Sequence, residues 1–161
     1  MLRISRLTDY GTVVLAQMAD QAGRTWTAAE LSSVTGVAAP TVSKLLKALA
    51  RGGLLESFRG ATGGYRLARQ PAEISAADIL DALEGPLSLT ECSSADSDCE
   101  LEPVCRVGNA WQSINAAIRQ ALEDVSLTDL TSPDGSAIGP VSLKRPRAAD
   151  GAVPLHFRPR Q

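Results

Sequence analysis

The apolar residues of this chain change their spacing several times, and each change marks an element. Val13, Val14 and Met18 recur at helical spacing and predict a first helix from Thr8, its cap, to about Ala19. Asp20 to Arg24 is polar and contains a glycine, so the chain turns there. Thr27-Ala-Ala-Glu30 has capping-box spacing: the threonine hydroxyl accepts from the third helical amide and the glutamate reaches back. The short helix it opens ends near Gly36. Pro40 then stands where a first helical residue tolerates a missing N–H. Val42, Leu45, Leu46 and Leu49 form one stripe of a second helix, which Gly52-Gly53 stops. Two short helices about a tight glycine turn predict a helix-turn-helix.

The period then shortens. Leu54 to Phe58 and Tyr65 to Leu67 read as paired strands about the loop Arg59-Gly60-Ala61-Thr62-Gly63-Gly64, which is a wing. A phosphate-cradling loop would need a Gly-Lys-Ser/Thr ending, and none is present. Ser75 can cap a helix from Ala76 to Leu83, with Ile74 and Ile79 as a hydrophobic staple and Gly85-Pro86 as its stop. After a loop from about Leu87 to Cys105, Val107, Trp111, Ile114, Ile118, Ala121 and Val125 step by four and three. That narrow seam suits a partner helix, and Trp111, Ile114, Ile118 and Val125 are its dimerisation candidates. The alternative packs the seam on the chain's own first helix; a long helix after a small domain needs cover either way. From Thr131 on, Pro, Ala, Gly and Arg dominate and periodicity vanishes. The expected fold is mainly α: a winged helix-turn-helix over 1–70, a connecting helix, cysteine loop and long dimerisation helix over 71–130, and a disordered tail over 131–161.

Charge sharpens this division. The net charge of −2 hides nine Lys/Arg against four Asp/Glu in residues 1–70, two against twelve in 71–130, and five against two in 131–161. A basic first half can approach a phosphate backbone, and an acidic middle should be held away from it. Hydrophobic residues make up 44% of the chain and aromatics 4%, so Leu, Val, Ile and Ala must build the core. No run approaches a membrane span, and the N-terminus lacks the apolar run of a secretory signal, so a cytoplasmic protein with no membrane partner is expected.

In a helix-turn-helix the second helix enters the major groove with its N-terminal residues at base edges. Thr41 and Ser43 can exchange hydrogen bonds with bases, and the Thr41 methyl can meet thymine. Lys44 and Lys47 can reach phosphate or guanine. Arg59 at the wing root can enter a narrow minor groove, and Tyr65 on the returning strand completes the candidate face for a double-stranded operator. For the two lysines, a solvated helix face is the plainer alternative.

The chain's three cysteines, Cys92, Cys99 and Cys105, share one acidic stretch. An odd, clustered set argues against a disulfide framework and for metal or redox chemistry. The gaps of six and five residues are wider than those of zinc ribbons and fingers, which also use four ligands. An iron–sulfur cluster tolerates such gaps and leaves one site for an oxygen or nitrogen ligand. On spacing alone the cluster, zinc and thiol-switch readings stand level. The sole histidine, His156, lies in the tail, so no Ser/His/Asp or Cys/His arrangement supports an enzyme, and no small-molecule substrate is expected.

Roughly residues 1–130 resemble the Rrf-two family of winged-helix regulators, IscR- and NsrR-like. The resemblance rests on Leu7-Thr8-Asp9-Tyr10-Gly11, the helix-turn-helix, Arg59-Gly60-Ala61-Thr62-Gly63-Gly64-Tyr65-Arg66-Leu67, Leu83-Glu84-Gly85-Pro86, the cysteines and Trp111. Within the family the chain is most similar to regulators of SUF iron–sulfur assembly. The resemblance implies a homodimer joined by the long helix. It implies an iron–sulfur cluster on Cys92, Cys99 and Cys105, with 2Fe–2S placed ahead of 4Fe–4S, base reading by the helix from Pro40, and repression of assembly genes. IscR-like members carry a histidine ligand three residues beyond the last cysteine, where this chain has Gly108. The NsrR-like pattern takes an aspartate near the N-terminus of the partner subunit, and Asp9 matches it; Glu91 and Glu102 compete, and the plainer alternative makes Asp9 a favourable anion in a helix's first turn. The leading expectation is an iron–sulfur-dependent repressor. A thiol-based or nitric-oxide-responsive repressor follows, and then a cluster scaffold or delivery protein that does not bind DNA.

Overall fold

The computed structural model describes residues 4–60, 63–90 and 107–132. The cysteine loop with Cys92, Cys99, Cys105, Glu91 and Glu102, the wing residues Ala61 and Thr62, and the tail from 133 with His156 lie outside the described residues. The described elements run α1 (Arg6–Ala19), α2 (Ala28–Thr35), α3 (Ala39–Arg51), β1 (Leu55–Phe58), β2 (Gly64–Leu67), α4 (Ala76–Glu84), α5 (Gly108–Glu123) and α6 (Leu127–Thr131), with a 3-10 turn at Pro71–Glu73. The fold is mainly helical, with one two-stranded antiparallel sheet in register Leu55↔Leu67 to Phe58↔Gly64.

Local chemistry sets most of these boundaries. The Thr27 side chain accepts from the Glu30 amide while Glu30 Oε2 accepts from the Thr27 amide at 2.8 Å, so α2 opens on a complete capping box. Ser75 does the same with Asp78 for α4. Gly36 takes φ 73°, the left-handed region that an L side chain resists, and turns the chain from α2 into α3. Gly52 follows α3 where a Cβ would lie 2.4 Å from the Ala82 Cβ, so α3 and α4 pack too closely for a side chain there.

The expected boundaries need correction in two places. Thr8 does not cap α1. The Ser5 side chain takes that role, accepting from the Leu7 and Thr8 amides at 3.2 and 3.4 Å, and Thr8 is buried one turn inside. At the other end, α5 stops at Glu123, so Val125 is not on it. A capping box of Ser126 and Asp129 starts α6, and the Val125 carbonyl accepts from the Ala76 amide at 2.8 Å.

One apolar core joins the described elements. Val14, Leu15 and Met18 of α1, Leu31 of α2, and Val42, Leu45, Leu46 and Leu49 of α3 bury together with Leu55, Leu67, Ile74, Ile79 and Leu127. Trp26 joins this core, and its backbone pairs with Tyr65 (N–H to O distances 2.7 and 2.8 Å), so the wing is anchored to the segment before α2. Beyond α4, Asn115 of α5 accepts from the Leu89 amide and donates to the Leu87 carbonyl. Arg119 of α5 makes a two-pronged pair with Asp81 of α4 at 2.8 and 3.3 Å. These polar ties hold α5 against the segment that enters the cysteine loop. No described helix is long and apolar enough to cross a membrane.

Candidate nucleic-acid interface

The core fixes which side of α3 faces outward. Val42, Leu45, Leu46 and Leu49 are fully buried, so the opposite side, with Lys44 and Lys47, is exposed. Arg51 lies four residues beyond Lys47 on the same side and is also exposed. Its Nε donates to the Lys47 carbonyl at 3.3 Å. Thr41 and Ser43 are half-buried at the start of the helix, whose N-cap residue, Ala38, provides no side-chain cap. α3 carries no acidic residue. Arg59 is exposed where β1 runs into the wing loop.

The ion pairs divide the cations into two sets. Arg24 pairs with Glu30, Arg66 with Glu56, Arg69 with Asp78, and Arg119 with Asp81 and Glu123. Among the described residues, Lys44, Lys47, Arg51, Arg59 and Arg6 have no acidic partner within salt-bridge distance. Four of these five lie on the α3 face or at the wing root. Positive charge without an internal partner on a helix-turn-helix and its wing is what a phosphate backbone requires.

Tyr65 differs from the other candidates. It is half-buried, its backbone is committed to the Trp26 bridge, and its side chain packs on the core, so it supports the wing from behind. At the wing, Arg66 lies over the Phe58 ring at 4.8 Å. Arg24 lies over Trp26 at 3.8 Å and pairs with Glu30, which locks the entry to α2. Its Thr27 partners, amide first, hold the Glu30 carboxyl below its ordinary range.

The other candidate residues sit away from this face. Asp9 is exposed in the first turn of α1, and its carboxylate has no hydrogen-bond or ion-pair partner among the described residues. The described residues alone form no cluster of three or more metal-ligating side chains. Trp111 and Ile114 are exposed on α5, Ile118 is half-buried, and α5 buries no residue completely.

Three further features lie beyond the candidate site residues read from the sequence. Arg51 could have been read from its spacing with Lys44 and Lys47. A cleft of about 410 Å³ opens between α1 and the start of α3, lined by Tyr10, Val13, Thr35, Gly36, Val37, Ala38 and Thr41. Glu84, part of the Leu83-Glu84-Gly85-Pro86 motif, accepts from the Thr8 hydroxyl and from the Ser5 amide (3.0 Å), tying the end of α4 to the start of α1.

A helix-turn-helix with an antiparallel wing and a cationic outer face defines a winged-helix DNA-binding regulator. Residues 4–133 match the family model described as "Rrf2: Iron-dependent Transcriptional regulator", and the chain belongs to this family. Its members are transcription regulators and not enzymes. The fold is similar to CymR, described as the global cysteine regulator of B. subtilis, at 30% identity and TM-score 0.61 over 81% of this chain and 97% of that one. It is also similar to T. potens IscR, at 27% identity and TM-score 0.58 over 80% and 85%. The oxidized form of Staphylococcus aureus CymR matches at 26% identity and TM-score 0.56 over 81% and 97%.

Proposed function

We propose that this chain is an iron–sulfur-cluster-dependent repressor of SUF cluster-assembly genes, acting in the cytoplasm as a homodimer. The sorting of cations carries the DNA half: those on α3 and at the wing root stand without acidic partners among the described residues, while Arg24, Arg66, Arg69 and Arg119 are paired. In this reading Thr41 and Ser43 meet base edges, Lys44 and Lys47 meet phosphate or guanine, Arg59 enters the minor groove, and Tyr65 braces the wing.

The cofactor half rests on the three clustered cysteines and on the family's iron-dependent description. Cys92, Cys99 and Cys105 would hold the cluster, 2Fe–2S ahead of 4Fe–4S, with Asp9 of the partner subunit as the fourth ligand. The free, exposed carboxylate of Asp9 is compatible with that role. The bound cluster would supply a redox- and ligand-sensitive centre whose loss changes the dimer's fit to its operator. Trp111, Ile114 and Ile118 on α5 would form the dimer seam, and the exposure of Trp111 and Ile114 supports it. Residues 1–70 read DNA and 71–130 hold the cofactor and the partner.

A second reading makes the cysteines a thiol switch on the same DNA reader. It is favoured by the solved oxidized form of a relative that matches over 97% of its length.

The test is protein purified without air. Iron, acid-labile sulfide and visible absorption that Cys92→Ala abolishes are expected. A colourless, iron-free protein whose operator affinity responds to reversible thiol oxidation would replace the cluster with the thiol switch. Arg59→Ala should weaken operator binding and lower its salt dependence by about one unit of log–log slope; an unchanged slope would remove Arg59 from the interface.

A further inference from the structure

The cleft in front of α3 is walled on one side by the reading helix and on the other by α1. Ala38 and Thr41 come from the start of α3, and Tyr10 and Val13 come from α1. Both α1 residues are exposed, 41% for Tyr10 and 47% for Val13, although Gly11 beside Tyr10 and Val14 beside Val13 are buried. Arg6 lies one turn before Tyr10 on the same side of α1, at i, i+4 spacing. It is exposed and has no acidic partner among the described residues. A cation in the first turn of a helix opposes the positive end of the helix dipole, so Arg6 is unfavourably placed for the isolated chain. Asp9 stands about 100° round the helix from Tyr10 and does not line the cleft.

We infer that α1 contributes a second contact to the DNA backbone, outside the helix-turn-helix: the Tyr10 hydroxyl donates to a phosphate oxygen at the mouth of the cleft, and Arg6 pairs with the same strand. Three observations converge on a phosphate as the occupant. The cleft is continuous with the reading helix through Thr41. Its rim carries hydroxyls. Its approach carries a cation, Arg6, with no acidic partner among the described residues. Tyrosine hydroxyls and arginines are among the usual donors to phosphate, and such contacts fix the protein's register on the duplex. Tyr10 and Arg6 would therefore set how α3 is presented to the groove. This inference rests on the DNA-binding reading above.

The experiment measures binding of full-length protein to a labelled mixed-sequence duplex, where backbone contacts dominate. Tyr10→Phe, Arg6→Ala, Lys44→Ala and Arg59→Ala are compared across a salt series, with the mass of the assembly measured by light scattering. Tyr10→Phe keeps the ring and removes only the donor. It should bind roughly fivefold more weakly or worse, as loss of a hydrogen bond to a charged oxygen would give, with its salt slope unchanged. Arg6→Ala should bind more weakly and lose about one unit of slope. If Lys44→Ala and Arg59→Ala weaken binding while Tyr10→Phe and Arg6→Ala do not, α1 is not a DNA contact and the inference falls alone. If none of the four changes binding, the DNA-binding reading falls with it. If Tyr10→Phe or Arg6→Ala halves the mass of the assembly in light scattering, the α1 face meets a second copy of the chain, and the inference is overturned in that direction.

Discussion

Glu84 takes hydrogen bonds from two groups of α1, the Thr8 hydroxyl and the Ser5 amide, and both favour its ionised form. The Thr8 hydroxyl, first, and Ser5, second, hold the carboxyl below its ordinary value of 4.5. A depressed folded value means that this group adds stability fully above the ordinary glutamate value. The contribution is lost as pH falls through the lower folded value. Glu84→Gln keeps the shape and one acceptor oxygen but cannot titrate. At neutral pH the variant should therefore melt below the native chain, and the difference should shrink as the pH is taken below the ordinary glutamate range. Thermal melts across an acid series read this directly. A gap that stays constant into strong acid would assign the stabilisation to shape rather than to charge. The same latch explains why Thr8 does not cap α1: its hydroxyl serves a carboxylate 76 residues away, and no local spacing reports a partner at that distance.

At the scale of elements, legibility followed the range of the interaction that sets each boundary. The Thr27–Glu30 and Ser75–Asp78 boxes, Pro40 at the start of α3 and the glycines after it act within one turn, so α2, α3 and α4 could be read from spacing. The wing could be read because its strands are joined by a glycine-rich loop. The short α6 is also legible, since Ser126 and Asp129 repeat the box spacing, but the four-and-three stepping of apolar residues on α5 continues through Val125 and masks the break. The Trp26–Tyr65 bridge and the Asn115 and Arg119 ties are long-range and left no local trace. At the candidate site, Lys44, Lys47 and Arg59 were legible as charges, but their lack of partners was not, because pairing depends on the fold. Gly36 gives this scale its test. Its φ of 73° turns α2 into α3, and a Cβ there would meet nothing within 4 Å, so the cost of a side chain is conformational alone. Gly36→Ala should destabilise by roughly 1–2 kcal/mol, whereas Gly36→Asn, which tolerates the left-handed region, should lose less. Equal losses in denaturant melts would mean that something other than φ governs this turn.

At the scale of the whole molecule, α6, the last described helix, is built into the core of the DNA reader. Leu127 is fully buried with Ile74 and the α1–α3 leucines. Its amide donates to the Ile74 carbonyl at 2.7 Å, and Ser75 and Ser126 form a bridge beside it. Of the described elements, α5 buries no residue completely, whereas α6, which follows it, returns to this core. Any change transmitted along α5 must reach a segment anchored against α1 and the turn before α4. This predicts that the reader and the α5–α6 segment unfold together. Leu127→Ala should cost about 2–5 kcal/mol, as for a fully buried leucine elsewhere. The loss should appear at one midpoint by two probes. The chain's two tryptophans make the comparison direct: Trp26 is 2% exposed in the core and Trp111 is 41% exposed on α5. In a Trp111→Phe background the fluorescence reports Trp26, and far-ultraviolet dichroism reports all helices. Coincident transitions that shift together on Leu127→Ala are the expected result. A Trp26 transition that stays in place while part of the helical signal is lost early would show that α6 merely rests on the reader, and would cut the mechanical route from α5 to DNA.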